Sequence, residues 1–222
     1  QMLRALQQTR SQSVVENRFA NVATGRCQSV NDLFAYALHQ SILESDEDIA
    51  ETSDMRVVIT GGAGFLGKLL AEKILAKGAL CDSTGNSRAI SEVVLLDLAP
   101  ASGETWLNDP RVKQLAGDIN DVALLSEAIA ANTGSVFHLA AVVSGQAEAD
   151  FDIGMKVNVD ATRTLLELCR KLPAPPKFLF TSSCAVFGGD LPDVLPDDHL
   201  PKPQGSYGIQ KFIGEQLVSD MS

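Results

Sequence analysis

The chain has 222 residues, 45% of them hydrophobic, which is enough to bury one good-sized core. Its net charge of −10 argues against a nucleic-acid partner, because proteins that bind phosphate backbones concentrate Lys and Arg on one face. No apolar run approaches the roughly 20 residues that span a bilayer, so we expect no membrane segment. The four cysteines have neither zinc-ligand nor disulfide-framework spacing, which indicates a metal-free protein of a reducing compartment such as the cytoplasm.

Residues 1–54 have no strand-like alternation, and we assign them as an N-terminal extension of unknown role, partly helical or disordered. The stretch NDLFAYALHQSIL, which begins at Asn31, predicts a short amphipathic helix. The acidic cluster between Glu44 and Asp54 is typical of a solvated linker. If Met2 is the native start, the Arg-rich, acid-poor residues after it resemble a mitochondrial transit peptide; the alternative is the end of an upstream domain.

From Met55 onward, short apolar runs alternate with helical patterns. The runs that predict buried parallel strands are MRVVIT, EVVLLD, VKQLAGD, SVFHLA and KFLFTSS. Between the first two, FLGKLLAEKILAKG predicts a helix that ends at Gly78. Such alternation predicts an α/β fold with a Rossmann-like, doubly wound parallel sheet, and we assign residues 55–222 to this domain.

A glycine cluster lies where the first strand meets the first helix, in VVITGGAGFLGKLL. It fits two registers, Gly62-x-Gly64-x-x-Gly67 and Gly61-x-x-Gly64-x-x-Gly67. A dinucleotide pyrophosphate must approach the backbone at a helix N-terminus, where a Cβ would block it, although any tight turn between strand and helix can also use glycine. The flanking strand and helix favour dinucleotide binding. The predicted cofactor contacts of this turn are Gly61, Gly64, Phe65, Leu66 and Gly67.

The next two predicted strands end in carboxylates. Asp97 would reach the adenosine ribose hydroxyls and repel a 2′-phosphate, which selects NAD over NADP, although it could also be an ordinary strand-end residue. Its distance from the glycines exceeds the usual spacing of about 20 residues, and Arg88 lies in the intervening stretch. We predict that Asp118 accepts a hydrogen bond from the adenine amino group and that Ile119 packs on the ring; a helix N-cap is the alternative for Asp118.

The stretch SVFHLAAVVSG predicts another strand and the loop that follows it. His138 lies inside the apolar run, which favours a buried, hydrogen-bonded histidine over a catalytic one. Ala140 and Ala141 are small enough to let a cofactor lie against the backbone. Ser144 and Gln146 follow at the carboxyl end of the strand, where open α/β sheets bind ligands, and are candidate substrate contacts.

FLFTSSCAVFGG places Ser183 at the same edge without a GxSxG elbow, so a hydrolase nucleophile is not indicated. Its neighbour Cys184 is predicted to be a small packed thiol. Tyr207 and Lys211 are four residues apart in a helical pattern and share one face. An ammonium about 4 Å from a phenol favours the phenolate by roughly 4 kcal/mol at an effective dielectric constant of about 20, which makes Tyr207 a candidate general base.

The glycine turn, Asp97, HLAA, Ser183 and Tyr207-x-x-x-Lys211, in this order, resemble the extended short-chain dehydrogenase/reductases, which include NAD-dependent sugar epimerases and dehydratases. This resemblance implies that NAD is the cofactor and that Tyr207 is the acid/base. It also implies that Lys211 favours the phenolate and holds the nicotinamide ribose, while Ser183 hydrogen-bonds the reacting oxygen. Asn158 matches the family's asparagine in the fourth helix, and the resemblance implies a homodimer through the helices carrying Asn158 and Tyr207.

More narrowly, HLAAVVSGQAEADFDIGMKVNVD, TSSCAVFGGDLP and SYGIQK look like the branch whose members oxidise the 2-hydroxyl of a four-carbon sugar acid, D-erythronate. A nucleotide-sugar epimerase or dehydratase that keeps its NAD is one alternative, and a non-catalytic NAD-binding module is another. Family members continue beyond the Tyr-Lys helix with a region that closes over the substrate. We therefore expect the domain to be truncated at its C-terminus and to form a fragment of a longer enzyme, which by itself need not turn over substrate.

Overall fold

The computed structural model describes residues 54–196 and 198–222. The predictions for residues 1–53, including the helix that begins at Asn31, lie outside the described residues. The chain divides into two compact units, and the larger one, residues 47–190 and 200–222, carries every described helix and strand. The described residues of the smaller unit, 191–196 and 198–199, form neither helix nor strand. Within the described ranges, every helix is too short or too polar to cross a membrane.

The larger unit is built on a sheet of five parallel strands, with a sixth strand paired antiparallel. The strands are β1 (Met55–Thr60), β2 (Ala79–Cys81), β3 (Ser87–Asp97), β4 (Val112–Ala116), β5 (Thr133–His138) and β6 (Lys177–Phe180). β1 pairs with β3 on one side and with β5 on the other, while β4 lies beyond β3 and β6 lies beyond β5. The predicted doubly wound parallel sheet is confirmed.

This strand order reverses direction beside β1. The chain runs outward from β1 through β3 to β4 and then returns to the other side of β1 with β5 and β6. In open parallel sheets the ligand crevice forms at the carboxyl ends of the strands that flank such a reversal. The fold therefore directs attention to the loops that follow β1 and β5.

Helices connect the strands on both sides of the sheet. They are α1 (Phe65–Lys77), α2 (Val122–Ala128), α3 (Ser144–Ala149), α4 (Phe151–Gly154), α5 (Ala161–Cys169) and α6 (Ser206–Asp220). A π-helical turn, Met155–Asp160, joins α4 to α5, and Cys184–Val186 forms a 3-10 turn after β6. As predicted, α1 ends at Gly78, which has φ 74° and donates its N–H to the carbonyl of Ile74 at 3.0 Å.

The core lies between the central strands and the helices. Val58, Val94 and Val136 of β1, β3 and β5 pack together with Leu125 of α2 and Leu165 of α5, and all five are fully buried. Burying one such side chain contributes about 1.5–3 kcal/mol. Because helices cover both faces, these strands read as continuous apolar runs rather than as alternating patterns.

An antiparallel hairpin accounts for the long spacing between the glycines and Asp97. β2 pairs with the first residues of β3, and the connecting turn is held by Asp82, whose Oδ1 accepts from the backbone N–H of Thr84 at 2.9 Å. Arg88 belongs to this hairpin and donates to the backbone carbonyl of Asp54 at 3.1 Å. The extra residues therefore form this hairpin before the main part of β3, and Asp97 remains at the strand end.

Candidate functional site

A cavity of about 840 Å³ lies at the carboxyl ends of β1, β3, β4 and β5, where the strand order reverses. Asn120 and Gln146 are among the polar side chains in its wall. Its wall includes the residues predicted as cofactor contacts in the glycine turn and at the strand ends: Gly61, Gly64, Phe65, Leu66, Gly67, Asp97, Asp118, Ile119, Ala140 and Ala141. The sheet thus brings together residues that are separated by as much as a third of the chain.

Two glycines of the turn, Gly64 and Gly67, lie close to the carbonyl group of a third, Gly61. Gly61 has φ +69°, a conformation that other residues rarely adopt, and a Cβ there would lie 2.9 Å from the backbone nitrogen of Ala140. A Cβ on Gly67 would lie 2.2 Å from the Gly61 carbonyl oxygen, and one on Gly64 would lie 3.2 Å from it. Gly62 instead faces Leu95 of β3. The register Gly61, Gly64, Gly67 therefore forms the turn, and α1 begins directly after it.

This turn fits a dinucleotide pyrophosphate. Gly64 precedes the first residue of α1 in extended conformation. The first backbone N–H groups of a helix point towards its N-terminus, where the macrodipole favours negative charge. Because side chains are excluded at Gly61, Gly64 and Gly67, a phosphate can approach these groups closely.

Asp97 joins the end of β3 to the glycine turn. Its Oδ2 accepts from the backbone N–H of Ala63 at 3.0 Å, and its Oδ1 accepts from the N–H of Leu98 at 2.8 Å. An ionised carboxylate has about four lone-pair sites, so both oxygens can accept further hydrogen bonds from a ligand hydroxyl. Asp97 therefore combines a structural contact with a position in the cavity wall.

Asp118 lies in the turn after β4. Its Oδ1 accepts from the backbone N–H and the side-chain amide of Asn120, at 2.9 and 2.8 Å. The N-cap of α2 is Asp121, which accepts from the N–H of Ala123 at 2.9 Å. The alternative interpretation of Asp118 as a helix cap was wrong, because the turn needs three more residues before the helix begins.

His138 is a buried, hydrogen-bonded residue, as predicted. Its side chain is 1% exposed, and its ring nitrogens lie 2.7 Å from the hydroxyl of Thr60 and 2.9 Å from that of Thr162. Burial, with a smaller contribution from the positive charge of Lys211, lowers the pKa of His138 to about 3. A neutral imidazole in this position joins β1, β5 and α5.

The predicted substrate contacts lie in different surroundings. Gln146 of α3 lines the cavity, whereas Ser144 and Ser183 do not. Ser183 caps the 3-10 turn after β6, where its Oγ accepts from the backbone N–H of Ala185 at 3.2 Å. Cys184 is exposed, so the prediction of a packed thiol was wrong; the tight turn buries Val186 and leaves Cys184 on the surface.

Tyr207 and Lys211 lie in the first turns of α6. The backbone N–H of Tyr207 donates to Oε1 of Glu148 at 3.0 Å, so a carboxylate of α3 lies at the N-terminus of α6. Lys211 is 2% exposed, and its Nζ lies 4.4 Å from the ring centroid of Phe180 at the end of β6. Burial lowers the pKa of Lys211 to about 8, while Glu215 acts in the opposite direction.

The backbone segments that carry Ser183, Tyr207 and Lys211 are in direct contact. A Cβ on Gly208 would lie 2.1 Å from the carbonyl oxygen of Ala185, which shows how closely α6 packs on the turn after Ser183. Within the described part of the chain, no hydrogen bond joins the three side chains to one another, and none of the three lines the cavity. They lie at the end of β6, next to the strand whose loop forms one wall of the cavity.

Sequence reasoning missed several residues that organise this region. Asn158 was identified only by resemblance; its Oδ1 accepts from the N–H of Val142 at 2.9 Å, and its Nδ2 donates to Oε1 of Gln210 at 2.8 Å. Glu148 and Lys156 were not predicted either, although Lys156 lines the cavity. Apart from the family resemblance at Asn158, no sequence pattern marks these residues, since the groups around them are distant in the chain.

Comparison with known proteins decides the family. The family model described as the NAD dependent epimerase/dehydratase family matches residues 57–222. The chain belongs to this family. The resemblance to the extended short-chain dehydrogenase/reductases is thereby confirmed.

Among curated relatives in this family, the D-erythronate dehydrogenase of Cupriavidus necator is 56% identical over 168 residues, 76% of this chain and 51% of the relative. The D-erythronate dehydrogenase of Haemophilus influenzae is 42% identical, with 76% and 50% covered. A solved nucleoside-diphosphate-sugar epimerase from Agrobacterium tumefaciens is 32% identical with a TM-score of 0.66, covering 80% of this chain and 52% of that one. The chain spans about half the length of the curated relatives it matches.

Proposed function

We propose that this chain is the cofactor-binding part of an NAD-dependent dehydrogenase that oxidises the 2-hydroxyl of a sugar acid such as D-erythronate. The observation that carries the proposal is the glycine turn at the mouth of α1, where a Cβ on Gly61 or Gly67 would collide with the backbone and one on Gly64 would be tightly packed. The sugar-acid substrate is supported by two relatives named D-erythronate dehydrogenase, at 56% and 42% identity.

The residues around the cavity would hold NAD along its length. The glycine turn would bind the pyrophosphate, Asp97 the adenosine ribose hydroxyls, and Asp118 and Ile119 the adenine. Ala140 and Ala141 would let the cofactor lie against the loop after β5. When bound, NAD supplies the acceptor for the hydride that leaves the substrate carbon.

The proton is handled by residues of the chain itself. The phenolate of Tyr207 accepts the proton of the substrate hydroxyl as a general base. Lys211, one helical turn further along α6, would bring an ammonium group to the same face of the helix. The Oγ of Ser183 already accepts from Ala185, so its O–H remains available to donate to the developing carbonyl oxygen.

The proposal is tested by two measurements. Calorimetry should show that this chain binds NAD. In the natural protein that carries this sequence, Tyr207→Phe should abolish NADH formation from D-erythronate while leaving the affinity for NAD within about twofold. Turnover by the Phe variant at the unsubstituted rate would remove Tyr207 from the mechanism, and absence of NAD binding would reject the proposal as a whole.

A nucleotide-sugar epimerase is the second candidate. It is supported by the 32% identical epimerase structure and by a UDP-glucose 4-epimerase of Thermus thermophilus, solved with NAD, which is 28% identical with a TM-score of 0.61. An epimerase returns the hydride and releases no net NADH, so absorbance at 340 nm during turnover separates the two activities. NAD binding without either activity in the natural protein would indicate a non-catalytic module. The homodimer through the helices carrying Asn158 and Tyr207, and the cytoplasmic location, stay predictions.

A further inference from the structure

The side chains that line the cavity carry a strongly negative balance. Four carboxylates are in the wall, those of Asp97, Asp118, Asp150 and Asp152. Among the described residues that line the cavity, Lys156 is the one basic side chain. A pyrophosphate carries two negative charges, which these carboxylates would repel. Its binding here therefore depends on positive charge that offsets the carboxylates.

Lys156 is free to serve as that compensation. It lies in the π-helical turn, its side chain is exposed, and it forms no ion pair with any carboxylate in the described part of the chain. Asp152, four residues before Lys156, lies in the same wall but forms no ion pair with it in the described part of the chain. Asp160 pairs with Arg163 at 3.5 Å, and Oδ1 of Asp150 accepts from the N–H of Ile153 at 3.0 Å.

Other cations of the larger unit are held away from the cavity wall. Lys68 of α1 donates to Glu104 at 2.9 Å, and its side chain does not line the cavity. Lys211 is buried over Phe180, also outside the wall. Neither can replace the charge of Lys156 without giving up its present contact.

We propose that the ammonium group of Lys156 binds the pyrophosphate of the dinucleotide, an inference that rests on the proposed NAD binding. The glycine turn supplies backbone N–H groups and a partial positive charge at the start of α1. Lys156 supplies a full positive charge from a different part of the same wall. Lysine acts on phosphate as a point charge, which needs no fixed geometry and suits an exposed side chain on a long, flexible stem.

The experiment measures dissociation constants by calorimetry for NAD, ADP and adenosine. It compares the unsubstituted chain with Lys156→Met, Lys156→Arg and the control Lys68→Met, at low and high salt. Lys156→Met should weaken NAD and ADP by about fivefold, the effect of losing one partly screened charge pair. Adenosine, which has no phosphate, should bind within about twofold. Lys156→Arg should retain most of the affinity, and Lys68→Met should bind like the unsubstituted chain.

Salt gives a second readout that loss of structure would not imitate. The affinity of the unsubstituted chain for ADP should fall more steeply with salt than that of Lys156→Met, because screening acts on the charge that the variant lacks. Thermal melting checks folding, and the Arg variant keeps the test intact should the Met variant unfold.

The outcomes are distinct. Equal NAD and ADP affinities in Lys156→Met and the unsubstituted chain would overturn the role of Lys156 and leave the proposed function standing. An equal loss for adenosine would also overturn it, since Lys156 would then shape the wall rather than bind phosphate. An unsubstituted chain that binds neither NAD nor ADP would reject the proposed function itself.

Discussion

The side-chain amide of Asn158 donates to Oε1 of Gln210 at 2.8 Å, and Gln210 is fully buried beside Lys211. Asn158 also forms two hydrogen bonds with the backbone of Val142, which lines the cavity. This amide pair therefore connects the loop after β5 to the helix that carries Tyr207 and Lys211. Among the residues that the structure describes, the Nε2 of Gln210 has no hydrogen-bond partner, and it packs against Gly154.

The contact between Gln210 and Gly154 predicts that Gly154→Ala has opposite effects on stability with and without the Gln210 side chain. Gly→Ala inside a helix normally stabilises by about 0.5–1 kcal/mol, but a Cβ on Gly154 would lie 2.5 Å from Nε2 of Gln210. Gly154→Ala should therefore lower the free energy of unfolding in the unsubstituted chain and raise it in a Gln210→Ala background. Chemical denaturation of the four proteins measures both effects. The same sign in both backgrounds would show that the contact does not limit residue 154.

The glycine turn predicts that Gly67→Ala and Gly145→Ala differ strongly in their effects on stability and NAD binding. A Cβ on Gly67 would lie 2.2 Å from the Gly61 carbonyl, whereas one on Gly145 would meet no described atom within 4 Å apart from its chain neighbours and the backbone of its own helix. Gly67→Ala should destabilise the protein by about 1–3 kcal/mol, the range for overpacking, and should remove NAD binding. Gly145→Ala, the matched control inside α3, should leave NAD binding unchanged and should not destabilise the protein. Normal NAD affinity in Gly67→Ala would contradict the close approach of the cofactor to this turn.

His138 predicts a pH dependence of stability in the acid range. Its pKa is about 3 in the folded protein, against 6.5 for an unperturbed histidine, so between these values the unfolded chain binds a proton that the folded protein does not. The contribution of the neutral His138 to the free energy of unfolding is fully present above pH 6.5. It is lost as pH falls towards 3, by up to about 5 kcal/mol. The difference in unfolding free energy between the unsubstituted chain and His138→Asn should shift by this amount. A pH-independent difference would mean that His138 titrates normally.

The lowered pKa of Lys211 predicts that stability also depends on pH in the alkaline range. Burial lowers its pKa to about 8 from 10.5, so the unfolded chain holds a proton between these values that the folded protein has released. Stability relative to Lys211→Met should therefore rise by about 3 kcal/mol from pH 8 to above pH 10.5. Unfolding titrations of both proteins at several pH values measure the difference. A falling difference would show that a partner raises the pKa of Lys211 instead.

The carboxylate of Asp97 predicts a preference for NAD over NADP. Asp97→Asn removes the negative charge and keeps one oxygen that can accept from Ala63; the N–H of Leu98 loses its acceptor but can bind water, so the glycine turn should survive. A 2′-phosphate would no longer meet a carboxylate, and the ratio of NADP to NAD affinity should rise by about tenfold, the effect of roughly 1.4 kcal/mol. Calorimetry with both cofactors measures the ratio. An unchanged ratio would leave Asp97 with its structural contact alone.

The sequence determined the parts of this protein that depend on local patterns. Apolar runs and helical periodicity predicted the five parallel strands and the helix that ends at Gly78, because neighbouring residues decide these elements. Parallel strands share one carboxyl edge, so the sequence alone predicts that the residues following them lie close together. The residues at Gly61, Asp97, Asp118 and Ala140 were predicted to meet for this reason, and they do line one cavity.

Only the tertiary structure decided the contacts between residues that are distant in the chain. Asn158 and Gln210 are 52 residues apart, and Glu148 lies 59 residues before the helix N-terminus that it contacts. Nothing in the local pattern distinguishes such side chains from ordinary helix residues, since their energies depend on partners that only folding brings near. The same is true of the charge balance in the cavity, where Lys156 became notable because the carboxylates around it come from different elements.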